Sequence, residues 1–223
     1  MTTAQSPLYR KRILIVDDHP VVCEGLNLLL NRDENQVVCQ QAGDASAAMQ
    51  SIAASGVDMV IVDVSLGGVD GLALARNIKD HYPALPILVL SMHDESMFAE
   101  RALRAGARGY VMKNESSRKI MEAVLRVLRG EIYLSEGMSA RLLSKFLNIR
   151  GSSHDSPISA LTARELEIFQ LIGVGRSTRE IAETLHVSMK TVDSHRAHII
   201  EKFELKNTKE LSRYAFHWAQ KSE

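Results

Sequence analysis

Ile13-Leu14-Ile15-Val16-Asp17-Asp18 is the stretch that decides the fold. Four consecutive apolar residues suit a short strand buried on both faces, as in a parallel sheet, rather than one with alternate residues facing water. Four further runs follow it, Gln36–Gln41, Val57–Val62, Ile87–Leu90 and Arg108–Met112. Between the runs lie helical patterns. Val22, Leu26, Leu29 and Leu30 share one face, as do Leu72, Ala75 and Ile78, and then Ile120, Val124, Val127 and Leu128. Five strand–helix repeats predict right-handed crossovers and an α/β fold, a doubly wound five-stranded parallel sheet. In such a sheet, chemistry sits outside the carboxyl ends of the strands.

The residues at those ends are Asp17 and Asp18, Asp63, Ser91 and Lys113. Three carboxylates brought to one sheet edge repel each other, and a hard cation with oxygen ligands relieves them, so the spacing points to Mg2+. A carboxylate beside Mg2+, with a hydroxyl and an ammonium nearby, is equipped to accept a phosphoryl group. A single acid after a strand is often only a turn former; five strand-end positions together are harder to read that way.

After Gly130 the strand signals stop. One amphipathic stretch, Ser139–Leu147, precedes Gly151-Ser152-Ser153-His154-Asp155-Ser156-Pro157, which reads as a flexible linker. From Leu161 onward the pattern is helical. Thr162 with Glu165, Ser177 with Glu180 and Asn207 with Glu210 each set a capping residue three before a glutamate, and Ser188 opens a fourth helix. Ser177–Thr184, a turn at Leu185-His186-Val187 and the helix from Ser188 have helix-turn-helix spacing. On the latter helix Val192, Ile199 and Phe203 are expected inward. Lys190, Asp193, Ser194 and Ala197 are left on the opposite face. A small helical bundle without a nucleic-acid role has the same spacing.

Charge gives that second half little help. The 223 residues carry 27 Lys and Arg against 27 Asp and Glu, split at residue 150 as 17 against 17 and 10 against 10. A globally basic nucleic-acid binder is excluded, and any DNA contact must come from a local patch such as residues 186–213, positive by two charges. Two cysteines, Cys23 and Cys39, are too few for a disulfide framework and read as core fillers. No cluster of His and Cys has metal-ligand spacing. Apolar runs of four residues fall far short of the roughly 20 a membrane span needs. The opening MTTAQSPLYRKR lacks a signal-peptide core, so a cytoplasmic chain without membrane contact is expected.

The motifs ILIVDD (13–18), VDVSLGGVDG (62–71), LVLS (88–91) and GYVMK (109–113) resemble the receiver domain of two-component response regulators. Residues 160–212 resemble the LuxR-type helix-turn-helix of the NarL/FixJ group, with Thr162, Glu165, Glu180, Ile181, Ala182, Leu185, Thr191, Val192, His195, Ile199 and Lys202 among the matching positions. The resemblance implies a flexible N-terminus over 1–9, a flavodoxin-like receiver over 10–130, a linker with one helix over 131–158 and an all-α four-helix DNA-binding domain over 159–223. It implies that Asp63 takes phosphate from a sensor histidine kinase or a small phosphodonor. Asp18 and Asp63 would then bind Mg2+ directly, Asp17 through water and Ser65 through its backbone carbonyl. Ser91 and Lys113 would bind the phosphoryl oxygens, with Ser91 and Tyr110 as the switch. His93, two past Ser91, lines the pocket on one reading, and His19 either tunes its entry or simply starts a helix. Lys190, Thr191, Asp193, Ser194, Arg196, Ala197 and Lys202 would face promoter DNA, with Lys190, Arg196 and Lys202 on phosphates. The partners implied are the kinase, double-stranded DNA, a second copy of the chain and RNA polymerase. The protein would be a regulator and not an enzyme, apart from slow loss of its own phosphate.

The sequence departs from the family pattern in three places. Leu66-Gly67 replaces a Met-Pro pair after the acceptor aspartate, Asn114 replaces a proline after Lys113, and Asp193 stands where lysine is usual. The rival readings are an orphan transcription factor with a degenerate, phosphorylation-independent receiver, a phosphatase-like enzyme using Asp63, and an interaction module that binds no DNA. The phosphatase would need an aspartate at position 65, where Ser65 stands.

Overall fold

A computed structural model describes residues 11–32, 37–67, 69–147 and 157–221. The expected flexible residues 1–9, Gln36 and the polar run 151–156 lie outside the described residues. The chain divides into two compact units between residues 150 and 151.

In the first unit the strands are β1 (Arg12–Val16), β2 (Val38–Ala42), β3 (Met59–Asp63), β4 (Ser65–Leu66), β5 (Val69–Asp70), β6 (Ile87–Ser91) and β7 (Gly109–Met112). The helices are α1 (Pro20–Leu30), α2 (Ala45–Ser55), α3 (Gly71–His81), α4 (Glu95–Arg104), α5 (Ser117–Leu128) and α6 (Glu136–Leu147). Five strands form one sheet in the order β2-β1-β3-β6-β7, every pairing parallel. β1 and β3 each have at least four fully buried residues, which is why their sequences run apolar without alternation. Ile13, Ile15, Ile61, Leu88 and Leu90 form one core with Leu26 and Leu30 of α1 and Val124 and Val127 of α5. Helices α2, α3 and α4 pack in sequence against one another and against β1, β2, β3 and β7. This is the doubly wound α/β sandwich.

The sequence-based strand limits shift by a residue or two. The second strand begins at Val38 and runs to Ala42, and the third begins at Met59. Asp63 and Ser91 are the last residues of their strands rather than the first beyond them. β4 and β5 form an antiparallel two-residue hairpin that was not anticipated. Aspartates start three of the helices: Asp44, Asp70 and Asp94 accept from Ala47, Leu72 and Ser96 N–H groups. The peptide bond after Lys113 is trans, since all described bonds are.

The second unit holds a 3-10 turn at Pro157–Ala160, then α7 (Ala163–Gly173), α8 (Thr178–Thr184), α9 (Met189–Lys202) and α10 (Thr208–Lys221). Thr162 with Glu165 and Ser177 with Glu180 close full capping boxes, and Ser188 and Asn207 accept from Thr191 and Glu210 N–H groups. Phe169 is the centre of this core, with Phe203, Tyr214 and Trp218 rings 5.4, 6.1 and 5.5 Å from its own. Phe216 is not part of it; it stands 53% exposed. Among the described residues no helix is long and apolar enough to cross a membrane.

Candidate functional site

The carboxyl edge of the sheet is where the expected residues meet. Asp17 follows β1 directly, and its backbone N–H donates to the Ala42 carbonyl, fixing it at the sheet edge. Asp63 ends β3 in register with Leu90 of β6. Both carboxylates are 5% exposed as residues. Lys113 Nζ lies 2.7 Å from Asp17 Oδ2 and 2.8 Å from Asp63 Oδ2, so one ammonium bridges two buried acids. Burial raises Asp63 above the ordinary carboxylate range, and Lys113 offsets only part of that rise. Burial lowers Lys113 in turn, yet the two acids outweigh it and hold its ammonium charged.

Asp18 is more open. Its Oδ2 accepts from the Gly67 N–H at 2.9 Å, which ties the β4–β5 hairpin to the acid pair. Gly67 adopts φ +54°, a left-handed backbone that the proline of the usual Met-Pro pair could not take. His19 starts α1 and also reaches both acids, with Nδ1 3.1 Å from Asp17 and 2.9 Å from Asp18. Ligand atoms of Asp17, Asp18, His19 and Asp63 lie within 4.8 Å of one another. Such an oxygen-rich cluster could hold a hard divalent cation.

Ser91 is fully buried; its Oγ accepts from the His93 N–H at 3.2 Å and its carbonyl accepts from the Lys113 N–H at 2.7 Å. Tyr110 is buried, its Oη donating to the His93 carbonyl at 2.8 Å, and burial pushes its phenol upward. His93 therefore sits between the two: its ring stacks on Phe98 at 4.7 Å and its Nε2 is 3.2 Å from Ser65 Oγ. Gly71, at the start of α3, has no room for a side chain, because a Cβ would lie 1.8 Å from the Asp63 carbonyl oxygen. The VDG triplet carried this signal, but its meaning depends on a contact eight residues away. Burial raises Cys23, and raises Cys39 to about 11, so both thiols stay protonated near neutral pH.

In the second unit α8 and α9 form the expected helix-turn-helix, with His186 at φ +52° in the turn. Lys190, Asp193, Ser194 and Ala197 are exposed on one side of α9, opposite the buried Val192 and Ile199. Thr191 is half-buried, with its hydroxyl 2.8 Å from Ser188 Oγ. Two of the three cations expected on phosphates have partners inside the unit. Arg196 donates to Thr178 Oγ1, joining α9 to α8. Lys202 Nζ lies 2.5 Å from Oε2 of Glu165, a buried acid on α7. Burial alone would raise Glu165, but Lys202 and the Thr162 N–H bring it below its ordinary value. Arg196 and Lys202, both expected on phosphates, thus also hold α9 to its neighbours within the unit. Of the three, Lys190 is the one with no such partner among the described residues.

Comparison with known proteins adds to this geometry. The family model described as response regulator receiver domain matches residues 13–125, and that described as bacterial regulatory proteins, luxR family, matches 159–215. The oxygen regulatory protein NreC of Staphylococcus carnosus is 38% identical over 208 residues, covering 92% of this chain and 96% of that protein. A LuxR-family two-component response regulator from Aurantimonas sp. aligns with TM-score 0.57 and 33% identity over 62% of this chain and 99% of that one. RcsB of Salmonella enterica serovar Typhimurium, solved on promoter rprA in the presence of the phosphomimetic BeF3-, aligns with TM-score 0.56 and 26% identity over 92% of this chain and 98% of that one.

Proposed function

The chain belongs to the two-component response regulators that join a receiver domain to a LuxR-type DNA-binding domain, and from that premise we propose that Asp63 is its phosphoacceptor. The observation that carries the reading is the placement of the Asp63 carboxylate, buried at a strand end and 2.8 Å from the Lys113 ammonium. A carboxylate oxygen of Asp63 bonds to phosphorus as the bond to a kinase histidine nitrogen, or to a small phosphodonor, breaks. Asp17, Asp18, Asp63 and the Ser65 carbonyl are the residues that would hold Mg2+, which would supply positive charge beside the acceptor. Lys113 balances charge on the transferring oxygens from its place beside Asp63. Ser91 leaves the His93 N–H to meet the phosphoryl group, and Tyr110 repacks beside it. The face around residues 94–112 then changes, promoting a homodimer whose two α9 helices take half-sites about one DNA turn apart. The domains fall at 10–130, 131–158 and 159–223. The protein works in the cytoplasm and turns over no substrate beyond its own slow dephosphorylation, with RNA polymerase as the downstream partner.

Incubating the full chain with acetyl phosphate and Mg2+ is expected to add one phosphoryl group by intact mass, and Asp63→Asn to add none. Beryllofluoride with Mg2+ is expected to shift the wild type toward dimer and to tighten promoter binding. Labelling that persists in Asp63→Asn would move the acceptor elsewhere. Wild-type binding indifferent to beryllofluoride would favour the orphan regulator.

On α9, Lys190, Thr191, Asp193, Ser194 and Ala197 face the DNA, while Arg196 and Lys202 position the helix. Asp193 repels phosphates but can accept a hydrogen bond from a cytosine amino group. Asp193→Lys is expected to tighten operator binding, steepen the salt dependence by about one unit of log–log slope and relax the preference at one base pair. Titrations at several salt concentrations and a randomised-site selection read all three; unchanged affinity and preference would remove Asp193 from the interface.

A further inference from the structure

The second unit carries a group of side chains that DNA recognition does not use. His195 and His198 lie three residues apart on α9, so their rings share one side of the helix. They meet Glu165 of α7, and one ligand atom from each of the three falls within 4.8 Å of the others. We propose that Glu165, His195 and His198 bind a divalent ion of the Zn2+ class, with water as the fourth ligand.

Three observations support the site. His195 Nδ1 is buried and has no hydrogen-bond partner among the described residues, an unusual state for a polar atom. Glu165 is 3% exposed and its two oxygens are already differentiated. Oε2 accepts from Lys202 and from the Thr162 N–H, which locks the carboxylate, while Oε1 faces His198 Nδ1 at 3.9 Å. A locked carboxylate with one oxygen turned toward two imidazoles is an oriented metal ligand. Bonds of about 2.0–2.1 Å in a tetrahedral site put ligand atoms about 3.3 Å apart. Closing from 3.9 Å needs only a small swing of the His198 side chain, which is 60% exposed. Two histidines and a carboxylate with an open fourth position are a common zinc donor set. Spacing in the sequence hides the site, because Glu165 lies 30 residues before His195. A bound ion would fasten the DNA-facing helix to α7 and add positive charge to a half of the chain with none to spare.

Co2+ is the probe, since tetrahedral cobalt absorbs visibly where octahedral cobalt barely does. The full chain is expected to develop that absorption near one equivalent and to lose it when Zn2+ is added. Asp63→Asn is expected to keep the signal, as its change lies in the receiver cluster. His198→Ala, at an exposed position, is expected to lose it and to bind Zn2+ at least tenfold more weakly while its circular dichroism is unchanged. Absence of the band in the wild type overturns the proposal. So does its survival in His198→Ala, and so does its loss in Asp63→Asn, which would place the ion among the receiver acids.

Discussion

Lys113→Met is expected to destabilise the receiver unit by about 3–5 kcal/mol in the absence of Mg2+, the size of effect seen when one partner of a buried ion pair is removed. The reason is local. The Asp17 and Asp63 side chains are 3% and 5% exposed, and the Lys113 ammonium is the cation within 3 Å of both. Methionine keeps the alkyl stem and leaves two buried carboxylates facing each other. For a unit of this size the receiver transition should fall by on the order of 10 °C or more in calorimetry. The deficit should depend on pH in a stated direction. Burial already holds Asp63 above its ordinary value, and an acid raised on folding contributes stability at low pH that fades as pH rises through its folded value. Without Lys113 that value rises further, so the variant's deficit is largest at neutral pH and shrinks as pH falls through the Asp63 titration. Mg2+ should recover part of the loss, because a dication replaces the missing charge at the same oxygens. Lys119→Met, which breaks an exposed i,i+4 pair with Glu115, should leave the midpoint in place. A Lys113→Met protein as stable as the wild type at neutral pH would show that the bridge does not hold the pocket together.

This pocket was largely legible before any coordinates, and the reason is topological. Parallel strands that alternate with helices must present their carboxyl ends at one edge, so Asp17, Asp63 and Lys113 are brought together by element order alone. Helix starts were legible because a cap and its glutamate lie three residues apart and need no tertiary information. What was hidden depended on contacts between distant segments. The hairpin of Ser65–Leu66 with Val69–Asp70 is too short to show any period, and it hangs on the Gly67 N–H reaching Asp18 49 positions away. His19 sits beside the acids because α1 begins there, a fact that chain proximity suggested and only the fold decided. The packing of the α9 cations was the least legible feature. The family resemblance sets Arg196 and Lys202 on phosphates position by position. It says nothing of Thr178 on α8, which accepts a hydrogen bond from Arg196, or of Glu165 on α7, which offsets the Lys202 charge. The local positive balance of residues 186–213 is therefore spent partly inside the unit. On the proposed function, that places more of the burden of DNA affinity on Lys190.

Gly71→Ala is expected to be the most damaging single-methyl change in the receiver. The added Cβ would sit 1.8 Å from the Asp63 carbonyl oxygen, 2.9 Å from its carbonyl carbon and 3.0 Å from the Val64 oxygen. Those are backbone atoms, so no rotamer change relieves the clash. The backbone cannot yield freely either. Asp63 is paired with Leu90 in the parallel ladder, and the Gly71 N–H itself donates to the Val64 carbonyl at 2.8 Å. Relief therefore requires moving the start of α3, or the strand end that carries Asp63, or both. Overpacking a fixed backbone commonly costs about 1–3 kcal/mol, and this case lies at or beyond the upper end. The functional loss should exceed what stability alone explains. On the proposed function, displacing Asp63 by even an ångström relative to Lys113 and the neighbouring acids is expected to slow phosphorylation by roughly a hundredfold. Gly25→Ala in α1 is the matched control, because nothing lies within 4 Å of its added methyl. There the helix should gain up to about 1 kcal/mol from alanine's higher propensity, with labelling unchanged. The second unit should melt as in the wild type in both variants, since none of the close contacts of Gly71 lies in it. If Gly71→Ala accepted phosphate at the wild-type rate, the α3 start would not be what sets the position of Asp63, and the pocket's geometry would have to be fixed by the Lys113 bridge alone.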